Sequence, residues 1–115
     1  MHEVGIIESA LEVVLRHAAE QHAQRVERVV LRIGTLAGVE PTALHFAFDA
    51  VSRGTPADGA ALEIESVAAA VYCAGCAREF TAERGSFIFR CPTCGDFCGE
   101  VRRGRELELS RIEMT

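Results

Sequence analysis

Four of the five cysteines fall into two C-x2-C pairs, and this pattern carries the clearest chemical signal in the 115-residue chain. Cys73 and Cys76 form one pair, Cys91 and Cys94 form the other, and fourteen residues separate the pairs. Each pair can place two thiolates on one side of a tight turn. Two such turns that face each other across a hairpin complete the tetrahedral S4 site that zinc favours. The spacing therefore predicts a structural zinc site with no open coordination position.

Two other interpretations of the cysteines remain open. The same thiolates can hold iron, as in a rubredoxin-like electron carrier. Disulfide pairing is the other alternative, although the odd number of cysteines weakens it. Cys98 lies outside the four-ligand pattern and is assigned no role. Gly75 and Gly95 are expected to lower the backbone cost of the two turns.

A second candidate ligand set lies in the opening residues "MHE". The amine of Met1, the backbone amides of His2 and Glu3, and the imidazole of His2 can close chelate rings around one ion. The carboxylate of Glu3 can add an oxygen ligand. A nitrogen-rich site suits Ni(II) or Cu(II) better than Zn(II), but on spacing alone a merely exposed histidine is the commoner case. The remaining histidines form no ligand spacing and are expected to be solvated: His17, His22 and His45.

Composition and charge narrow the class of function. The formal net charge of -5 argues against non-specific nucleic-acid binding, which relies on basic patches. A small basic cluster follows the cysteines, and a solvated turn is its simpler explanation: Arg102, Arg103 and Arg105. No apolar run approaches the roughly 18 to 20 residues that span a bilayer, and no signal peptide is recognised, so a cytoplasmic protein is expected. Because neither a phosphate-binding loop nor a nucleophile-and-base set is evident, the chain is expected not to be an enzyme.

Hydrophobic periodicity predicts an α+β chain. The predicted order is a helix over about 4–21, a strand over 25–34, a helix that begins near Pro41 and is capped near Gly54, a strand over 61–67, the cysteine segment, and a strand over 105–114. The cysteine segment thus looks like a zinc-ribbon-like module inserted into a small α/β domain. The predicted domains are 1–71 plus 100–115, and 72–99.

The predicted core follows from the same periodicity. The apolar positions of the first helix are Ile7, Leu11, Val14, Leu15 and Ala18, and those of the second are Leu44, Phe48 and Val51. The first strand is predicted to be half-buried, with Val29, Leu31 and Ile33 inward and with Arg28 and Arg32 outward.

Taken together, the segments resemble the HypA/HybF family of nickel metallochaperones for [NiFe] hydrogenase maturation. The resemblance rests on "MHE", "ESALE", "RVVLRIGTLAGVEPTALHFAFDAV", "LEIE", the paired C-x2-C turns and "RELELSRIE", which occur in this order along essentially the whole chain. It implies a nickel-binding α/β domain, in which two helices pack on a three-stranded sheet, and a separate zinc domain.

The resemblance also implies roles for particular residues and partners. His2 would be the essential nickel side chain, with Glu3 and Met1 completing the motif, and Glu40 matches an acidic position near the nickel site. The four paired cysteines match the zinc ligands: Cys73, Cys76, Cys91 and Cys94. The implied partners are a HypB-type GTPase and the hydrogenase large subunit, and a homodimer is left open. The alternative function is a zinc-ribbon interaction module that binds a protein or a nucleic acid.

Overall fold

The structure, a computed structural model, describes residues 2–115 and confirms the α+β class. The elements are α1 (Glu3–Glu20), β1 (Val26–Gly34), α2 (Pro41–Val51), β2 (Ala61–Val67), β3 (Ala69–Cys73), β4 (Arg78–Ala82), β5 (Phe89–Arg90), β6 (Phe97–Cys98), β7 (Glu100–Arg103) and β8 (Leu107–Met114). The strands form three sheets with the orders β2-β1-β8, β4-β3-β7 and β5-β6. No helix within residues 2–115 combines the length and apolarity needed to cross a membrane.

The chain divides into two compact units. The first contains the segments up to Arg32, Val39–Glu65 and Glu108–Thr115, and the second contains Ile33–Gly38 and Ser66–Leu107. These borders differ from the predicted borders of 72–99, because β3 is paired along its whole length with β4 and also pairs with β7. The hydrogen-bonded ladder therefore extends the cysteine-containing unit in both directions along the chain.

The core of the first unit is formed by α1 and α2, which pack against each other, and by buried residues of β1. Ile7, Val14 and Leu44 are fully buried, and burial of each such side chain contributes about 1.5–3 kcal/mol. The predicted apolar stripes of the two helices were wrong at four positions. Leu15 and Val51 are only half-buried. The buried positions that the prediction omitted are Ile6 on α1 and Ala47 on α2.

Helix α2 begins where the sequence predicted and ends earlier. Pro41 occupies the first helical position, and Glu40 caps the helix by accepting a hydrogen bond at Oε1 from the N–H of Thr42, at 3.2 Å. The helix ends at Val51, and Ser52 is its C-terminal cap. Gly54 has a φ of +73° but lies two residues beyond that cap, so the predicted cap position was wrong.

Strand β1 is more deeply buried than the predicted alternation. Val29, Val30 and Leu31 are all buried in succession. Because β1 is the central strand of its sheet, side chains from both neighbouring strands flank it. Arg28 shows this arrangement, since its guanidinium lies 3.4 Å from a carboxylate of β2 (Glu63) and 3.4 Å from one of β8 (Glu113). The prediction of a half-buried strand therefore fails at Val30.

Candidate metal centres

Two tight turns of the second unit bring the paired cysteines together. Cys73 ends β3, Cys76 lies in the β3–β4 turn, and Cys91 and Cys94 lie between β5 and β6. Their four sulfur atoms all lie within 4.8 Å of one another. The distance between the sulfurs of Cys73 and Cys94 is 3.6 Å, and that between Cys76 and Cys91 is 3.9 Å. A tetrahedral zinc–thiolate site has sulfurs about 3.8 Å apart, so the cluster fits structural zinc.

The two turns have one backbone feature in common. The residue directly after each C-x2-C pair has a left-handed backbone conformation, with a φ of +54° at Ala77 and of +80° at Gly95. The predicted backbone role therefore holds for Gly95 but is wrong for Gly75, whose φ is not left-handed. A Cβ atom at Gly75 would lie 3.4 Å from the carboxylate of Asp96, which is an ordinary van der Waals contact.

Backbone N–H groups favour the thiolate form of the first cysteine in each pair. The N–H groups of Cys94 and Thr93 lower the pKa of Cys91 to about 6. The N–H of Cys76 lowers the pKa of Cys73 in the same way. Because the thiolate is the form that binds metal, the turns favour metal binding by these two sulfurs.

Cys98 lies beside the cluster without belonging to it. It sits on β6 opposite Phe89, and its sulfur is 3.5 Å from the backbone oxygen of Asp96. Desolvation raises the pKa of the Cys98 thiol, and its interaction with Cys73 raises it further. Cys98 is not in the group of four mutually close sulfurs. It therefore gives no reason to extend the predicted ligand set.

His2 occupies an accessible position at the start of α1. It is exposed and has extended backbone angles, with φ at -80° and ψ at 127°. Its carbonyl accepts a hydrogen bond of 3.2 Å from the N–H of Ile6, whereas its imidazole makes no capping hydrogen bond to the described residues. Met1, the remaining member of the predicted nickel set, lies outside the described residues.

The carboxylates of Glu3 and Glu40 both lie at the start of α2. The Oε2 atom of Glu3 accepts a hydrogen bond of 3.1 Å from the backbone N–H of Glu40. This N–H group, and then the N–H of Glu3 itself, lower the pKa of the Glu3 carboxyl. The structure thus brings together Glu3 of the predicted nickel motif and Glu40, the acidic position that the resemblance places near the nickel site. The sequence prediction did not foresee the hydrogen bond between them.

The other histidines are exposed, as predicted, and belong to no cluster of metal-ligating groups in residues 2–115. His17 lies 4.0 Å from the carboxylate of Glu20. His22 follows the cap of α1 with a left-handed φ of +55°, and His45 lies on α2. None of the three therefore extends the candidate nickel set within the described part of the chain.

The arginines that could have favoured a nucleic-acid interface are largely neutralised by carboxylates. Arg102 stacks on Tyr72 at 4.0 Å and pairs with Glu100 at 2.6 Å and with Glu79 at 3.7 Å. Arg103 also pairs with Glu79. The neighbouring carboxylates reduce the net positive charge of this cluster, so these contacts weigh against the nucleic-acid interpretation.

Comparison with known proteins gives one consistent result. The family described as "Hydrogenase/urease nickel incorporation, metallochaperone, hypA" matches residues 1–114. The hydrogenase maturation factor HypA of Chloroflexus aurantiacus is 43% identical over 113 residues, which cover 98% of each chain. That of Picosynechococcus sp. is 39% identical over 114 residues, or 99% of each chain.

Two solved structures share the fold. The solution structure of the Ni metallochaperone HypA from Helicobacter pylori superposes with a TM-score of 0.65 at 24% identity, and the match covers 99% of this chain and 97% of that one. A second solution structure of a HypA protein gives a TM-score of 0.72 at 24% identity and covers 100% and 97% of the two chains.

Proposed function

The chain belongs to the HypA family of hydrogenase/urease nickel-incorporation metallochaperones, and on that premise we propose that it binds Ni(II) at its N-terminus and delivers it to the large subunit of a [NiFe] hydrogenase. The family consists of metal carriers and not of enzymes. The observation that supports the N-terminal site best is the position of His2, which is exposed and caps α1 without using its imidazole for a capping bond to the described residues. A ligand that is free and accessible can both accept and release an ion.

The proposed nickel ligands are the imidazole of His2, the backbone nitrogens of His2 and Glu3, and the amine of Met1. The first N–H groups of an α-helix have no backbone acceptor within the helix, so coordination by these nitrogens would break no backbone–backbone hydrogen bond of α1. Nitrogen donors suit Ni(II). Because protonation of the imidazole or the amine competes with the ion, nickel loading is expected to weaken in mild acid.

The four paired cysteines are proposed to hold zinc with a structural role. They are Cys73, Cys76, Cys91 and Cys94. Four thiolates saturate a tetrahedral ion and leave no position for cargo. Zinc, when bound, supplies a cross-link between the β3–β4 turn and the β5–β6 turn. Support for this assignment comes from the sulfur–sulfur distances of 3.6 and 3.9 Å.

The proposed partners follow from the carrier role. The curated relatives are named hydrogenase maturation factors, so the proposed acceptor is the hydrogenase large subunit. The sequence contains no recognisable phosphate-binding loop, and we assign the energy for gated release to a HypB-type GTPase. The proposed compartment is the cytoplasm, where free thiols persist.

A transfer assay tests this function. The nickel-loaded chain is mixed with a nickel-free large-subunit precursor, the HypB-type GTPase and GTP, in the presence of a chelator that traps free nickel. After separation by size, the nickel content of the precursor is measured. Wild type and His17→Ala should deliver nickel, whereas His2→Ala should deliver no more than free nickel does. Equal delivery by His2→Ala would contradict the proposal.

A further inference from the structure

Helix α2 cannot complete an N-terminal capping box with its own residues. In that motif the third helical residue, a Glu or Gln, accepts a hydrogen bond from the N–H of the capping residue. In α2 the capping residue is Glu40 and the third helical residue is Ala43, whose methyl group accepts no hydrogen bond. The carboxylate of Glu3 takes this place from α1, at 3.1 Å from the N–H of Glu40. The cap of α2 is therefore completed by another helix.

Both carboxylates at the start of α2 already accept hydrogen bonds from backbone N–H groups. Glu40 uses Oε1 to accept the N–H of Thr42 at 3.2 Å, while Glu3 uses Oε2 to accept the N–H of Glu40. Negative charge at the N-terminus of a helix is favourable because the backbone N–H groups there are unpaired and the helix dipole is positive. The side chain of Glu3 is thus held by a group that attracts a carboxylate in the absence of any metal.

We propose that Glu3 is a positioning residue for the nickel site, whose carboxylate stays on the N–H of Glu40 and does not coordinate the ion. This inference rests on the proposed nickel site at His2. His2 directly precedes Glu3, so an anchored Glu3 side chain limits the conformations open to the backbone nitrogens and the imidazole. Ordering of ligands before binding raises affinity, because less conformational entropy is lost when the ion arrives.

Substitution of Glu3 separates positioning from coordination. Glutamine retains an oxygen that accepts the N–H of Glu40, but it lacks the charge that makes a carboxylate a good metal ligand. Alanine removes both properties. A third variant, Glu3→Ala with Ala43→Glu, gives α2 a capping box of its own. It does not restore the hydrogen bond that anchors residue 3, the neighbour of His2. The set therefore distinguishes a ligand, a helix cap and a positioning group.

The experiment measures two quantities in each full-length variant. Ni(II) affinity is obtained by competition with a chelator, and the exchange rate of the Glu40 amide is obtained by NMR in metal-free protein. For Glu3→Gln, which keeps the hydrogen bond but not the charge, we expect both changes to be clearly smaller than for Glu3→Ala. For Glu3→Ala we expect about tenfold weaker nickel binding and at least about tenfold faster exchange, as for the loss of one charge-assisted hydrogen bond. Added Ala43→Glu should restore the protection of the amide but not the affinity.

Three results would overturn the inference. Equal loss of affinity in Glu3→Gln and Glu3→Ala would make the carboxylate a ligand. Recovery of affinity in the double variant would reduce Glu3 to a helix cap. Unchanged affinity in Glu3→Ala, while His2→Ala loses nickel, would remove any role for Glu3 and leave the proposed function intact. If His2→Ala binds nickel as wild type does, the proposed N-terminal site itself is wrong.

Discussion

The carboxylate of Glu3 accepts a hydrogen bond from the backbone N–H of Glu40, 37 residues further along the chain. This bond joins the starting points of α1 and α2, which pack against each other in the same compact unit. The proposed nickel-binding terminus is therefore attached to the folded core through a side chain as well as through the chain itself. His2 can in this way be accessible while the residue that follows it is held in place.

The bond between Glu3 and Glu40 should respond to acid in a defined direction. The N–H of Glu40 lowers the pKa of Glu3 below its ordinary value of 4.5. The stabilisation is therefore fully present above that value, and it is lost as the pH falls through the lower pKa of the folded protein. In metal-free protein the Glu40 amide resonance should shift with a midpoint below 4.5, and this shift should be smaller in Glu3→Gln. A midpoint at or above 4.5 would contradict the assignment.

Ala77 and Gly95 follow the two cysteine pairs in left-handed backbone conformations. Exchange of alanine and glycine at these two positions should change stability in opposite directions. Ala77 has a φ of +54°, where glycine is favoured, so Ala77→Gly should stabilise the zinc-loaded protein by up to about 1 kcal/mol. Gly95 has a φ of +80°, so Gly95→Ala should destabilise it by about 1 kcal/mol. Thermal unfolding and competition for zinc with a chromophoric chelator measure both changes. Shifts of the same sign in the two variants would refute this account of the turns.

Removal of a zinc ligand should damage one unit and spare the other. Cys91→Ala leaves three sulfurs of the four-cysteine cluster, and metal binding supplies the folding free energy of small zinc modules, about 10–16 kcal/mol in zinc-finger peptides. We expect loss of zinc and collapse of the NMR signals of β3, β4 and β7, while the signals of α1 and α2 persist. Cys98→Ala is the matched control and should retain zinc. Loss of nickel with retention of zinc in Cys91→Ala would reverse the assigned roles.

Gly104 lies in a restricted backbone position of the second unit. Its φ is +118°, and a Cβ atom there would lie 2.6 Å from the Cα atom of Ala69. Gly104→Ala should therefore destabilise the zinc-loaded protein by at least about 2 kcal/mol. Gly99→Ala is the control, since no neighbouring atom of the described residues would come within 4 Å of its Cβ, and it should cost less than about 0.5 kcal/mol. Denaturant unfolding followed by NMR tests whether the two variants differ.

The fold was predictable from sequence wherever a local pattern decided it. The 3.6-residue period located α1 and α2, Pro41 located the start of α2, and the C-x2-C spacing identified the four sulfurs that lie within 4.8 Å. Burial of Val30 was not predictable in this way, because it depends on β1 lying between two other strands. Strand order depends on the whole chain and cannot be deduced from the alternation of apolar and polar residues along one strand.

The composition of the candidate nickel site stays a prediction, and the arrangement of its described residues was not foreseen. The resemblance pointed to His2 and Glu3, whereas the bond from Glu3 to Glu40 depends on how α1 packs on α2. One local signal was present, since the third position of α2 is Ala43 and a capping partner from elsewhere was needed. The left-handed conformation of Ala77 was not predicted, because glycine is the usual residue at such an angle. The prediction therefore assigned the backbone role to Gly75, two residues earlier.

The most direct test of the central claim is a Ni(II) titration of the untagged protein, with zinc and nickel counted separately by metal analysis. Wild type and His45→Ala should bind one nickel ion per chain and retain one zinc ion. His2→Ala, and a variant with extra residues before Met1, should lose the nickel and retain the zinc. Stoichiometric nickel binding that survives unchanged in both altered termini would show that the ion is carried elsewhere.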